Sequence, residues 1–183
     1  MSRHRIGGWR IDVERREGVP RIVPAIALAR TVGRALEGGR APTPASITLF
    51  LSDDRELAQL NEIHMGHDGP TDVLSFPLLP PEVFRSGGAA PTFALPPGRP
   101  PHLGDIVVSV ERAIEQAESG RGGHTGDVRW SPADEVRLLV THGTLHVCGW
   151  DHAEPAEEAA MRALETSILS GTTIEASRIG RAR

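Results

Sequence analysis

The sequence predicts a single α+β domain: a small mixed sheet of four strands, about five helices packed with it, and three histidines gathered at one helix end. Three observations carry this. Short apolar stretches of period two alternate with longer stretches of helical period. The first strand–helix–strand succession fits a parallel pair with a right-handed crossover. At 183 residues and 39% apolar content, the chain can build one proper core.

Residues 1–8 read as a loose, flexible N-terminal end, and 9–170 as the domain. Trp9, Ile11 and Val13 alternate with Arg10, Asp12 and Glu14, the pattern of a half-buried strand. Ile22, Ile26, Ala29 and Leu36 recur at helical spacing, and Gly38-Gly39 closes that helix. Beyond a Pro-containing loop at 41–44, Ile47, Leu49 and Leu51 share one face of a second strand. Asp53, with Glu56 three residues on, opens a short helix that runs to about Met65. Thr71 to Leu78 is the third strand, mostly apolar and β-favouring.

Between Pro77 and Pro101 stand eight Pro and three Gly, which excludes strand and helix. The stretch reads as an insertion in a hairpin, with an active-site flap as the alternative. Leu103 to Val110 is the fourth strand, followed by a helix over about 109–119. Arg121-Gly122-Gly123-His124 is a linker; it lacks the Gly-Lys-Ser/Thr of a phosphate loop, and His124 reads as solvent-exposed. In the last helix, opened by Glu154-Pro155, Met161, Leu164 and Ile168 line one face while Glu158 and Arg162 pair on the other. Gly171 ends it, and 171–183 is expected to be a disordered basic tail.

Composition narrows the function classes. All 20 basic residues are Arg, and the net charge is −4, so RNA could be held only by a local basic patch. With one cysteine, Cys148, there is no intramolecular disulfide; it reads as a small buried residue facing away from His146. No apolar run approaches a membrane span and no signal peptide heads the chain, so the expectation is a cytoplasmic protein without membrane contact.

Three of the eight histidines, His142, His146 and His152, fall within eleven residues. Four residues turn a helix only about 40° past a full circle, so His142 and His146 point the same way. Ser131, Pro132 and Asp134 mark the start of their helix, and Val136, Leu139 and Val140 give it an apolar face. Gly149 stops it, and the chain can then swing His152 back. Three converging imidazoles are a metal site, zinc first, with nickel or copper also compatible. The pattern H-x-x-x-H-x-x-G-x-x-H matches zinc proteases except at the general base: Gly143 stands where they carry Glu. Asp151, the nearest carboxylate, has three candidate roles: orienting a ligand imidazole, shuttling a proton, or stabilising the turn. Ser75 and Thr71 lack the G-x-S-x-G setting of a nucleophile, and Met161 reads as core rather than as a Met-turn.

His142-Gly143-x-Leu145-His146-x-x-Gly149-x-Asp151-His152 resembles the signature of the YbeY family, bacterial zinc-dependent endoribonucleases. Pro70-Thr71-Asp72-Val73-Leu74-Ser75-Phe76-Pro77 is similar to the family's T-D-V-L-S-F-P segment, and Leu103-Gly104-Asp105-Ile106 to its L-G-D-I strand. Order and spacing agree over roughly residues 10–168. The resemblance implies a small α+β fold and metal ligation by His142, His146 and His152. It also implies cleavage of single-stranded RNA in the 3′-end maturation of small-subunit ribosomal RNA and in ribosome quality control. The implied partners are ribosomal RNA and the small subunit or its assembly proteins.

One departure stands out. The family's L-N-x-x-x-R segment places an Arg toward the cleft, whereas Leu60-Asn61-Glu62-Ile63-His64-Met65 puts Met65 there. A phosphate contact is thereby lost, and His64 or His67 are the candidates to replace it. Zinc held by three neutral His lowers the pKa of bound water to about 7 and polarises a phosphoryl oxygen. Strand Thr71 to Phe76 would form one wall of the cleft. The nucleophile is either zinc hydroxide or the RNA 2′-hydroxyl. The competing readings are a zinc hydrolase of another substrate such as a peptide, and a non-catalytic ribosome-assembly factor stabilised by zinc.

Overall fold

The computed structural model describes residues 1–85, 100–119, 130–152 and 154–171. The elements run β1 (Ser2–Ile6), β2 (Trp9–Arg15), α1 (Ala25–Gly38), β3 (Ala45–Ser52), α2 (Asp54–Met65) and β4 (Val73–Pro77). They continue with α3 (Glu82–Arg85), β5 (His102–Ser109), α4 (Val110–Glu118), α5 (Pro132–Val147) and α6 (Pro155–Ser170). The strands form one mixed sheet in the order β1-β2-β3-β5-β4. Neighbours β2, β3 and β5 run parallel, while β1 and β4 close the two edges antiparallel.

Strand alternation decides which helix covers which face. Leu49, Ile106 and Val108 point into the main core with Leu28, Val32 and Leu36 of α1 and Val136, Leu139 and Val140 of α5. Phe50, Leu74, Phe76 and Val107 point the other way and meet Leu57 and Leu60 of α2. Helix α6 lies outside α1 and α5, where Met161, Leu164 and Ile168 pack on Ala35 and Leu145. Cys148 is buried at the end of α5, with Gly39 of α1 against its sulfur.

The predicted caps are present. Asp53 accepts a hydrogen bond from the Glu56 backbone N–H. Ser131 and Asp134 form a full capping box at the start of α5. Beyond these, two sequence expectations need correction. The sheet has five strands rather than four, because Ser2–Ile6 of the supposedly loose end form β1. Its Ser-Arg-His-Arg-Ile sequence hides the strand: an edge strand needs only one buried face, and here Ile6 is its sole apolar residue. A two-residue Gly7-Gly8 turn joins it to β2, with Ile6 opposite Trp9, and Arg3 pairs with Asp12 at 2.9 Å.

The second correction is α3, a short helix inside the Pro-rich 77–101 stretch, which brings the helices among the described residues to six. Pro80 and Pro81 supply no N–H, yet their carbonyls accept from Val83 and Phe84, and both those side chains are buried. The stretch does connect an antiparallel pair, β4 and β5, as a hairpin insertion must. Residues 86–99 of it, the 121–124 linker with His124, and the tail from 172 onward lie outside the described residues.

Gly104 explains the glycine of L-G-D-I. It sits opposite Pro77 in the β4–β5 ladder with φ +151°, and a Cβ there would strike the Phe76 carbonyl oxygen. Gly104→Ala should therefore cost about 1–3 kcal/mol in chemical denaturation. Gly18→Ala, also at positive φ but with open space around it, should cost less. Equal losses at the two positions would contradict this account of Gly104.

Candidate metal centre

Helix α5 reaches the sheet at its closest where it carries Gly143. A Cβ on Gly143 would lie 2.8 Å from Ile106 Cγ2 and 2.9 Å from Val73 Cγ2. The Ser75 hydroxyl donates to the Gly143 carbonyl oxygen at 3.0 Å, tying β4 to the helix. The position after His142 thus faces the sheet and has no room for the Glu of a zinc protease. His142 and His146 stand one helical turn apart on either side of it.

Each of these two rings is held by its Nδ1. His142 Nδ1 stands 2.7 Å from Glu165 Oε1 on α6, and His146 Nδ1 stands 2.9 Å from the Trp150 carbonyl oxygen. A carboxylate and a carbonyl only accept, so each neutral ring carries its proton on Nδ1 and presents a bare Nε2 lone pair. The two Nε2 atoms are 3.0 Å apart. Gly149, at φ +77° and packed on Pro81, turns the chain back so that His152 joins them. One ligating nitrogen from each of the three rings lies within 4.8 Å of the others. Lone pairs converging at this range repel unless a cation sits among them. Nitrogens around a tetrahedral zinc stand about 3.4 Å apart, so the donor set can hold a metal ion.

Burial tunes the same group. His146 has its pKa lowered from the ordinary 6.5, first by desolvation and then by repulsion from His142, with the Trp150 carbonyl opposing in part. It therefore stays neutral, as a metal donor must. The Cys148 thiol is pushed up by burial, which leaves it protonated and unavailable as a ligand.

Asp151 is exposed, and its carboxylate accepts from the His152 backbone N–H at 2.7 Å, a hydrogen bond within the turn that carries His152. The carboxylate that holds a ring is Glu165, which sequence reasoning missed. A signal existed: Glu165 lies four residues after Met161 and three before Ile168, inside the apolar stripe of α6. A carboxylate on a buried face needs a partner.

Asp72 of the T-D-V-L-S-F segment clasps its surroundings. Its Oδ1 accepts from Val73 N–H at 2.8 Å and its Oδ2 from Gln116 Nε2 at 2.9 Å. Thr71 and Ser75 make only local or helix-tying hydrogen bonds. Met161 is buried beside Leu145, in the core as expected, although it also reaches the cleft wall.

His142 and His152 line a cleft of about 350 Å³ that β4, α4, α5 and α6 enclose. Four carboxylates line it, those of Asp72, Glu135, Glu158 and Glu165, against one guanidinium, Arg162. Met65 is not among the lining residues; it ends α2, on the far face of the sheet, 44% exposed. His64 packs edge-on against Phe76, and His67 is exposed.

Comparison with known proteins agrees with this geometry. The model of the family described as endoribonuclease YbeY matches residues 23–173. The chain belongs to the endoribonuclease YbeY family. A Thermobifida fusca endoribonuclease YbeY is 38% identical over 161 residues, 88% of this chain and 92% of that one. The Salinispora tropica protein of the same name is 43% identical over 126 residues, 69% and 73% of the two chains. In fold, the chain is similar to a Thermotoga maritima protein solved in solution, with TM-score 0.51, 21% identity and 87% of each chain covered. Among the described residues, no helix is long and apolar enough to cross a membrane.

Two outcomes are expected here. Glu165→Gln should weaken metal binding toward the lower end, and Glu165→Ala toward the upper end, of about 10–100-fold, read by competition with a chromophoric chelator. Unchanged affinity in both variants would remove Glu165 from the site. For the metal-free protein, a lowered His146 pKa means that the unfolded chain binds a proton the folded one does not once pH drops below 6.5. Its melting temperature should fall as pH falls through that value, and His146→Gln should make the fall shallower.

Proposed function

We propose that this chain is a zinc-dependent endoribonuclease that cuts single-stranded ribosomal RNA. Its place would be the 3′-end maturation of the small-subunit RNA and ribosome quality control, in the cytoplasm. The observation that supports it best is the pair of imidazoles pinned by Glu165 and the Trp150 carbonyl, whose Nε2 atoms meet at 3.0 Å. His142, His146 and His152 would be the ligands. Bound there, a zinc ion supplies a Lewis acid for a phosphoryl oxygen and a water of pKa about 7. The chain's own residues do the positioning. Glu165 and Trp150 fix the two rings, Gly143 keeps α5 against the sheet, and Asp151 shapes the turn that carries His152. The small subunit and its assembly proteins are the proposed partners.

One observation favours a second reading, a non-catalytic assembly factor stabilised by zinc. Four carboxylates face one guanidinium in the cleft lining, and Met65 offers it no cation. A peptidase is disfavoured because the sheet fills the place its Glu would need. The test compares wild type with His146→Ala, following metal content and cleavage of single-stranded and duplex ribosomal RNA fragments. The expected result is that His146→Ala loses metal and falls to the cleavage level of stripped protein, with duplexes spared throughout. Wild type that holds zinc but never exceeds the stripped control would favour the assembly-factor reading.

A further inference from the structure

An acidic cleft repels the polyanion it is proposed to cut, so attraction must come from beside it. Helices α1, α5 and α6 leave a groove of about 960 Å³ lined by Arg30, Arg34, Arg137, Arg162 and Trp130. It shares Leu138, Arg162 and Glu165 with the metal cleft, so the two adjoin. Arg137 is paired with Asp134 at 3.1 Å and Arg162 with Glu158 at 2.5 Å. Arg34 donates only to the Ile168 carbonyl oxygen, at 3.3 Å, and Arg30 has no polar partner among the described residues. The two stand four residues apart on the exposed face of α1, where like charges repel each other.

The rest of the wall suits a nucleic acid. The Trp130 indole is fixed by its Nε1–H, which donates to Glu135 Oε2 at 2.5 Å. A fixed aromatic beside guanidinium groups is the means by which proteins hold unpaired bases and their backbone. The chain itself has no acidic segment to lay there. Residues 86–99 carry one Arg and no Asp or Glu, 120–129 two Arg against Asp127, and 172–183 three Arg against Glu175.

We propose that this groove carries the single-stranded RNA away from the metal cleft, with Arg30 and Arg34 on its phosphates and Trp130 against a base. The proposal rests on the ribonuclease reading of the neighbouring site. It also supplies the local basic patch that a net charge of −4 demands.

The test is binding of a labelled single-stranded RNA, longer than the roughly 4–16 nucleotides usual for one binding module. Anisotropy is read across about 50–200 mM salt, with cleavage followed in parallel. Arg30→Gln/Arg34→Gln should flatten the slope of log K against log salt by about 1.4 and weaken binding on the order of tenfold. Arg55→Gln, on α2 across the sheet, should change neither.

Wild-type slope and affinity in a double variant that melts normally would overturn the proposal. If the double variant melts early, Arg30→Gln alone decides, because that side chain holds nothing in the fold; the expected change is about 0.7 in slope. A variant that loses binding to polyglutamate but keeps it to RNA would also overturn the proposal and make the groove a protein-docking site. RNA that binds through the two Arg but is never cut would leave the groove standing and remove the ribonuclease reading instead.

Discussion

Helix α5 can come as close as it does to Ile106 and Val73 only because residue 143 has no side chain. That contact fixes the height and rotation of the helix over β4 and β5, and with them the direction of His142 and His146. Ser75 locks the same contact from the strand side through the Gly143 carbonyl. The packing that seats the helix also removes the place where a protease would keep its general base. Peptidase chemistry is disfavoured by the fold itself, since restoring the Glu would push α5 off Ile106 and Val73.

Seating the helix is not enough to make a metal site. Two imidazoles one turn apart have free rotation about their side-chain bonds and a choice of tautomer. Glu165 and the Trp150 carbonyl remove both freedoms by accepting from Nδ1. The Trp150 carbonyl comes from the same turn that returns His152, and Glu165 comes from α6, the next helix. The third ligand candidate and both ring anchors therefore depend on a single chain reversal at Gly149, itself shaped against Pro81.

Much of this was legible in the sequence, for definite reasons. The helix bearing the histidines announced itself through Ser131, Pro132 and Asp134, because capping uses local hydrogen bonds between residues close in sequence. The three histidines were legible for the same reason: helical spacing and one Gly place them. What the sequence hid was non-local. Strand β1 is held by pairing with β2 and has only Ile6 to mark it. Glu165 acts on a residue 23 positions earlier, so no local pattern names its partner. Asp151, adjacent in sequence to His152, looked like the natural carboxylate, yet the hydrogen bond it makes is to the His152 backbone rather than to a ring. The Arg pair on α1 lies more than a hundred residues from the histidines, and only the packing of α6 brings its groove beside the cleft.

Charge is divided between the two depressions, and that division has a physical logic. Carboxylates around the three histidines favour a divalent cation and repel polyanions that would otherwise settle there by chance. Guanidinium groups placed outside the three histidines' immediate surroundings could attract an RNA's phosphates without competing for a metal's position. Arg162 sits on the boundary, lining both depressions while paired to Glu158. An uncharged residue at position 65 fits the same division. A cation on α2 would approach from the far face of the sheet, whereas Arg30 and Arg34 sit on the side of the sheet where α5 and α6 build the site. Any RNA held beside the metal cleft would therefore meet its cations on the α1 side, not on α2.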